Sequence, residues 1–287
     1  MPSLKHVKRR ITSVRSTKQI TKAMDLVAAS KLARTKALLS SARGLYKGAA
    51  ELVADAASSP EAGSSIYAPA KNPTDKAAYI VITSDRGLCG GYNSGIGKLA
   101  MAHMEEHGHQ ERVIALGARG GIFLDRRGKN VLSNSHSTSS APSYEQAQAV
   151  ARRVLEGYRS GEFSAVYVVY TRFLTTVTHE PEVIKLLPID TAPESAPLRS
   201  PVGEICYEPN PAQFLDGAVP AYLEMMIYGT VVEAAVCEQA ARMMSMSAAT
   251  KNAEEIIENL TLSYNRSRQS IITQEINEIV SGANALK

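Results

Sequence analysis

Tryptophan is absent from this 287-residue chain, and aromatics together make up only 6% of it. So small a supply of large flat side chains argues against a mainly β body and suits long helices. Proline is missing from residues 3 to 57 and again from 221 to 281, and glycine interrupts those stretches only at Gly44, Gly48 and Gly229. Nothing in either stretch breaks a helix. At about 1.5 Å per residue the later stretch alone is a rod of about 90 Å, against roughly 8–20 residues for an ordinary globular helix. Such a rod must pair along its length or reach into another protein. No apolar run approaches the length of a membrane span, and there is no secretory signal, so membrane association is expected only through other proteins or the surface.

Cysteine is scarce too. Cys89, Cys206 and Cys237 lie far apart and none forms a CxxC pair, which removes zinc-knuckle and redox-motif readings. The odd count favours a reducing compartment, and Cys89 and Cys237, set among Gly and Ala, are expected only to pack. Acid is scarce at the front. Between Lys5 and Lys47 the lone acid is Asp25. A basic helix suits acidic partners, or is a solvated face balanced by acids elsewhere. Its Arg- and Ser-bearing character imitates a transit peptide, but the helical stripe continues well past the usual presequence length.

The apolar positions Ile11, Val14, Ile20, Met24, Val27, Leu32 and Leu38 recur at helical spacing, with Ala23, Ala28 and Ala29 between them. The later rod carries Leu223, Met226, Ile227, Val231, Ala235, Ala241, Met244 and Ala248, then Ile256, Ile257, Leu260, Tyr264, Ile271, Ile272, Ile276 and Ile279. Each stripe needs burial to offset the entropy of ordering it. Two helices at opposite ends of one chain can lie together as an antiparallel coiled coil, although these heptads are not strict, and two separate surface helices are the plainer alternative.

The middle has a different texture. Residues 77–83, 112–117 and 164–170 are short apolar runs of strand type, separated by helical patterns near 94–107, 118–127 and 144–158. Continuous apolar strands alternating with helices predict a sheet covered on both faces. Residues 177–187 offer a further strand. The expected fold class is therefore α/β: a small Rossmann-like domain carried by an antiparallel coiled coil of the terminal helices. The expected division is an N-terminal shaft helix over 1–57, a linker over 58–73, an α/β domain over 74–190, an irregular return over 191–213 and a C-terminal shaft helix over 214–287.

Candidate chemistry is thin. Residues 84–93 (SDRGLCGGYN) form a glycine-rich turn after the first strand, where nucleotide-binding folds cradle phosphate. It is not GxGxxG, and Gly91 to Gly97-Lys98 has the wrong spacing for a Walker A loop, with Leu99 where a metal-binding hydroxyl belongs. A tight structural turn, with Asp85 and Arg86 paired or capping the next helix, is the expected outcome. His103 and His107 share a helical face and His109 follows, but no carboxylate or thiol completes a metal set at a suggestive offset. No nucleophile motif stands out, so no catalytic residue, cofactor or metal is expected. Near the end of the rod, Gln269 and Thr273 lie one turn apart beside Arg268, polar groups suited to an enclosing protein or simply to water.

Several segments together resemble a known family. Residues 20–31 (ITKAMDLVAASK), 84–93, 238–243 (EQAARM), 262–269 (LSYNRSRQ), 272–276 (ITQEI) and 278–283 (EIVSGA) resemble the gamma subunit of F-type ATP synthase. The two terminal groups are the specific ones, and residues 98–187 carry no comparable motif. The resemblance implies a rotor. The coiled coil turns inside a ring of three alpha and three beta subunits, and the lower part meets the epsilon subunit and the membrane-embedded c-ring. Carried over residue by residue, Lys22, Met24 and Arg242 would lie near the beta levers. Arg268, Gln269, Thr273, Glu275 and Glu278 would engage the alpha/beta ring higher up. Tyr207 and Glu208 would lie at the foot, near the c-ring and epsilon. The family's role implies no nucleotide chemistry in the chain itself, no nucleic acid, and contact with the membrane only through partner subunits. Only Cys206 lies where chloroplast members carry a dithiol switch, so thiol regulation is not expected. A chain that begins directly at the shaft helix points to the cytoplasmic face of a bacterial plasma membrane. Two other classes remain in view. One is a nucleotide-dependent enzyme with a coiled-coil dimerisation arm; the other is a nucleic-acid binder driven by the basic helix, against which the lack of interleaved aromatics counts.

Overall fold

In a computed structural model, residues 4–69, 74–135, 142–190 and 205–285 are described. They form two compact units, Met1–Ala29 with Arg242–Lys287, and Ser30–Ala241. Helices α1 (Leu4–Ala57) and α5 (Pro211–Ala285) contribute to both. Between them come a short 3₁₀ turn (Pro60–Ser64), β1 (Lys76–Ile82), α2 (Tyr92–His107), β2 (Gln110–Leu116), α3 (Ala118–Asp125), β3 (Val131–Ser135), α4 (Tyr144–Arg159), β4 (Ala165–Phe173) and β5 (His179–Leu187).

The second unit is built on a five-stranded sheet in the order β3-β2-β1-β4-β5. β1 runs parallel to β2 and β4, β2 runs parallel to β3, and β5 closes the other edge antiparallel to β4. The chain winds outward from β1 in one direction, then crosses back to β4, which is the doubly wound plan. β1 explains why the sheet is central: six of its seven positions are buried, because helices cover both faces. Ala78, Ile80 and Ile82 share one core with α4, the end of α1 and the first turns of α5. Ala77, Tyr79 and Val81 share the other with α2, α3 and Cys237. The edge strand β3, with Ser133 and Asn134 in its ladder, has no apolar run to announce it and was not among the expected strands.

Residues 58–69 pack rather than merely connect. Tyr67 is fully buried, Arg159 donates to its hydroxyl at 2.6 Å, and Asp216 accepts from Ser65 Oγ at 2.6 Å. α5 begins at Pro211, where proline is tolerated because the first N–H has no helical acceptor, and it continues through Pro220. From Val231 to Ala241 every α5 residue is buried, as expected of a helix wrapped on all sides by core. One α5 window does reach a mean hydropathy of 1.2, enough to pass as a membrane span, which corrects the sequence expectation. However, 67% of that window is buried within the chain, as in a core helix.

Gly229 marks a close approach of the two long helices in this unit. A β-carbon there would lie 2.3 Å from the Tyr46 ring. Gly117 does comparable work beside the sheet: at φ 103° its missing β-carbon would collide with the Thr83 carbonyl.

In the first unit α1 and α5 run antiparallel. Lys18 Nζ meets Glu254 Oε1 at 2.8 Å, and the Thr21 and Thr250 hydroxyls meet at 2.8 Å. On α1 Leu4, Val7, Ile11, Val14, Lys18, Thr21, Asp25 and Ala28 are shielded at alternating steps of three and four, with Met24 and Ala29 partly shielded beside them. On α5 Arg242, Met246, Thr250, Ala253, Ile257, Leu260, Tyr264 and Ser267 are shielded, two steps of four followed from Thr250 by threes and fours in turn. This is a heptad seam. It corrects the sequence reading of loose heptads. Ile20 and Val27, assigned to the stripe, are 60% and 57% exposed, while polar Thr21 and Asp25 sit in the seam.

Candidate partner-binding surfaces

The seam fixes where pairing ends. Thr21 opposite Thr250 gives a residue-number sum of 271, so Leu4, the first residue of α1, falls opposite Ser267 (271 − 4 = 267). Among the α5 residues whose burial is described, Ser267 is also the last that is not classed as exposed, residues 268 to 281 all being exposed. Pairing thus takes up α5 as far as Ser267 and no further along the described seam. Beyond Ser267 the apolar side chains Ile271, Ile272, Ile276, Ile279 and Val280 stand in solvent at 41% to 72% exposure. A helix turn bearing that much apolar surface in water is a contact surface.

The candidate residues fall into four environments. Arg268, Gln269, Thr273, Glu275 and Glu278 all lie on this exposed end. Thr273 turns its hydroxyl back onto the Gln269 carbonyl at 2.9 Å, and Glu278 accepts from Gln274 at 2.9 Å. Lys22 and Met24 lie on α1. Lys22 is exposed and loosely paired with Asp25 at 3.6 Å, and Met24 is half-buried. Exposed Ile20, Leu26 and Val27 flank them, so basic and apolar groups share that outer surface. Arg242, in contrast, is only 9% exposed and offers a partner little of itself. Tyr207 and Glu208 precede α5: Glu208 is exposed, but the Tyr207 hydroxyl donates to Asp55 Oδ2 at 2.6 Å and its ring lies 4.8 Å from Phe214. The Tyr207 side chain therefore ties the end of α1 to the start of α5. Burial, and then that carboxylate, push the phenol well above its ordinary value.

The glycine-rich turn is largely committed to holding itself. The Ser84 N–H donates to Asn93 Oδ1 at 3.0 Å, Ser84 Oγ donates to the Arg86 carbonyl at 2.6 Å, and Asp85 Oδ1 accepts the Ala118 N–H at 3.1 Å. Asp85 thus serves the start of α3 across the turn. Leu88 is held at φ 66° and 57% exposed, an apolar knob on a left-handed residue. Cys89 and Cys237 are buried as expected; burial pushes the Cys237 thiol far up, out of reactive range. No group of three metal-ligating side chains is assembled among the described residues.

One cluster escaped the sequence reading. Glu233, with a 5% exposed side chain, accepts from Arg43 at 3.0 Å, from the Tyr46 hydroxyl at 3.2 Å and from the Phe173 N–H at 3.1 Å. Arg43 also donates to the Phe173 carbonyl at 3.3 Å. One carboxylate thereby joins α1, α5 and the end of β4. The signal was present: Glu233 is the single charged residue between Glu224 and Glu238, and an acid in an apolar run must be paired.

An α/β domain on paired helices, with its polar turn committed internally and its free surfaces lying along helices, defines a subunit built for lateral contact with other chains. Comparison with known proteins agrees. The family model described as ATP synthase matches residues 3–286. The chain is 43% identical to the ATP synthase gamma chain of Alkaliphilus metalliredigens over 99% of both chains, and 40% identical to that of Pelotomaculum thermopropionicum over 100% of both. It is 35% identical to the sodium ion specific ATP synthase gamma chain of Acetobacterium woodii over 99% of both. In fold it resembles a chain of the Euglena gracilis mitochondrial ATP synthase at TM-score 0.69 and 16% identity, covering 99% of this chain and 94% of that one. The chain belongs to the ATP synthase gamma chain family.

Proposed function

We propose that the chain is the central-stalk rotor of an F-type ATP synthase, coupling ion flow, by the family's pattern of protons, to ATP synthesis or hydrolysis by rotation. Its own residues do no bond chemistry. The paired helices turn inside three alpha and three beta subunits, and each angle presents a different surface to chemically identical beta sites. Differential contact free energy between those states is what coupling requires. The observation that carries this reading is the end of the seam at Ser267, with a polar and apolar helix surface continuing bare beyond it.

In this assignment Arg268, Gln269, Thr273, Glu275 and Glu278 engage the ring around the bare end. Lys22 and Met24 face the beta levers. Arg242 acts from within the chain by holding the shaft's shape. Tyr207 and Glu208 belong to the foot, where epsilon and the c-ring bind, and Tyr207 works there by fixing α1 to α5. The complex lies peripherally on the cytoplasmic face of a bacterial plasma membrane, reached only through partner subunits. Co-purification tests the proposal. A tagged chain expressed with its neighbours is expected to bring down nucleotide-binding alpha and beta subunits, and truncation after Ser267 is expected to reduce that recovery. Recovery of the chain alone, or as a dimer with nucleotide bound, would return the enzyme alternative.

A further inference from the structure

Beside the Glu233 cluster a cleft of about 450 Å³ opens between α1, the β4–β5 edge and α5. Its rings are Tyr46, Tyr170 and Phe173; its cations are Arg43 and Lys47, one helical turn apart on α1, and Arg172 on β4. Its two acids are already engaged. Glu233 is held by three donors, and Glu182 accepts from the Tyr170 hydroxyl at 3.2 Å and pairs with Arg172 at 3.8 Å. Three cations against two acids leave one positive charge in excess (3 − 2 = 1). Arg43 Nε is buried there without a hydrogen-bond partner.

That nitrogen is closed to an occupant, but the Arg43 side chain as a whole is 41% exposed and can present its charge to one. A single water takes up only about 30 Å³ of liquid, whereas the cleft lies within the size range of small-molecule sites. The surplus cation selects an anion, and the rings select a flat body, which they can stack against. We propose that this cleft binds a small planar organic anion, an aromatic ring carrying one phosphate or carboxylate group. The anionic group lies at the Arg43, Lys47 and Arg172 side chains, and the ring lies among Tyr46, Tyr170 and Phe173. Aryl phosphates and nucleoside monophosphates share this chemistry.

Titration calorimetry on the full chain with phenyl phosphate tests the site, with inorganic phosphate and AMP as further arms. Saturable binding of phenyl phosphate is expected, with inorganic phosphate and the Arg172→Gln variant each weaker by roughly fivefold, about what one exposed charge contact is worth. Lys47→Gln is expected to weaken it similarly, and Arg153→Gln, on the distant α4, is expected to leave it unchanged. Thermal midpoints matching the parent chain show that the variants fold. AMP binding alongside phenyl phosphate supports the site and extends it to nucleotides; phenyl phosphate alone supports the smaller aryl anions. No saturable heat with phenyl phosphate at about 10 mM, equal binding of inorganic phosphate, or indifference to both Arg172→Gln and Lys47→Gln would each overturn the proposal.

Discussion

Glu233 accepts three hydrogen bonds, two from α1 and one from the end of β4, and is nearly inaccessible to water. Removing its carboxylate strands the Arg43 guanidinium, the Tyr46 hydroxyl and the Phe173 N–H at once. Arg43 keeps partial access to solvent, its side chain being 41% exposed, which limits the penalty. Glu233→Ala is expected to cost about 2–3 kcal/mol, read as a lower urea midpoint. Histidine gives a second test. His103 stacks on His107 at 4.0 Å, His107 on His109 at 5.9 Å, and the Tyr79 hydroxyl meets His103 Nδ1 at 3.0 Å. Tyr167 on β4 faces all three rings, Glu106 lies on the same helix, and Glu111 on β2 is paired with Lys129. Burial, then the charges of His107 and His109, hold His103 below its ordinary value against the opposing pull of Glu106. The folded chain therefore binds this proton less tightly than the unfolded one. Its stabilisation is complete above about pH 6.5 and is lost as pH falls through the lower folded value. Melting temperatures measured from pH 8 down to pH 5 are expected to drop, and less steeply for His103→Gln.

Among the elements, the long helices were the most legible, because an absence of proline over more than fifty residues admits few alternatives. β1, β2 and β4 were legible as apolar runs between helical patterns. β3 was not: an edge strand of Val131, Leu132, Ser133, Asn134 and Ser135 satisfies its backbone on one side and needs no continuous apolar pattern. The seam was misread for a related reason. Periodicity counts apolar residues, but Lys18, Thr21 and Asp25 occupy inward positions, where Lys18 and Thr21 find partners across the seam on α5 and Asp25 one along α1. An acid set in an apolar run announces that Glu233 is paired but not with what, since Arg43 lies 190 residues away on α1 and Phe173 lies 60 away on β4. Gly229 shows the opposite case, a single residue legible in sequence as the lone glycine of a long rod. Alanine there gains helix propensity of about 1 kcal/mol but drives a methyl into the Tyr46 ring and so disturbs the Tyr46–Glu233 bond. Gly229→Ala is expected to destabilise by a net of about 1–2 kcal/mol in denaturant unfolding. Adding Tyr46→Ala is expected to make the second substitution cheaper than it is alone.

On the scale of the whole molecule, the rotor reading separates turning from coupling. Met24→Lys adds a cation beside exposed Lys22 at a half-buried position next to the seam residue Asp25. In the assembled enzyme it is expected to reduce ATP-driven ion pumping more than ATP hydrolysis, the two being measured in the same vesicles. A strictly parallel loss would remove Met24 from the coupling surface.

The bare end of α5 has a consequence for the chain before it meets any neighbour. Past Ser267 only the helix's own hydrogen bonds hold it, and a single short stretch of helix is marginal in water. A newly made, solitary copy therefore carries a frayed, oily tail that a protease can thread and a chaperone can grasp. Limited trypsin digestion is expected to clip the free chain at Arg266 or Arg268, whereas copies enclosed by their neighbours survive. Surplus copies would then be cleared, and cellular supply would follow the number of seats available for them.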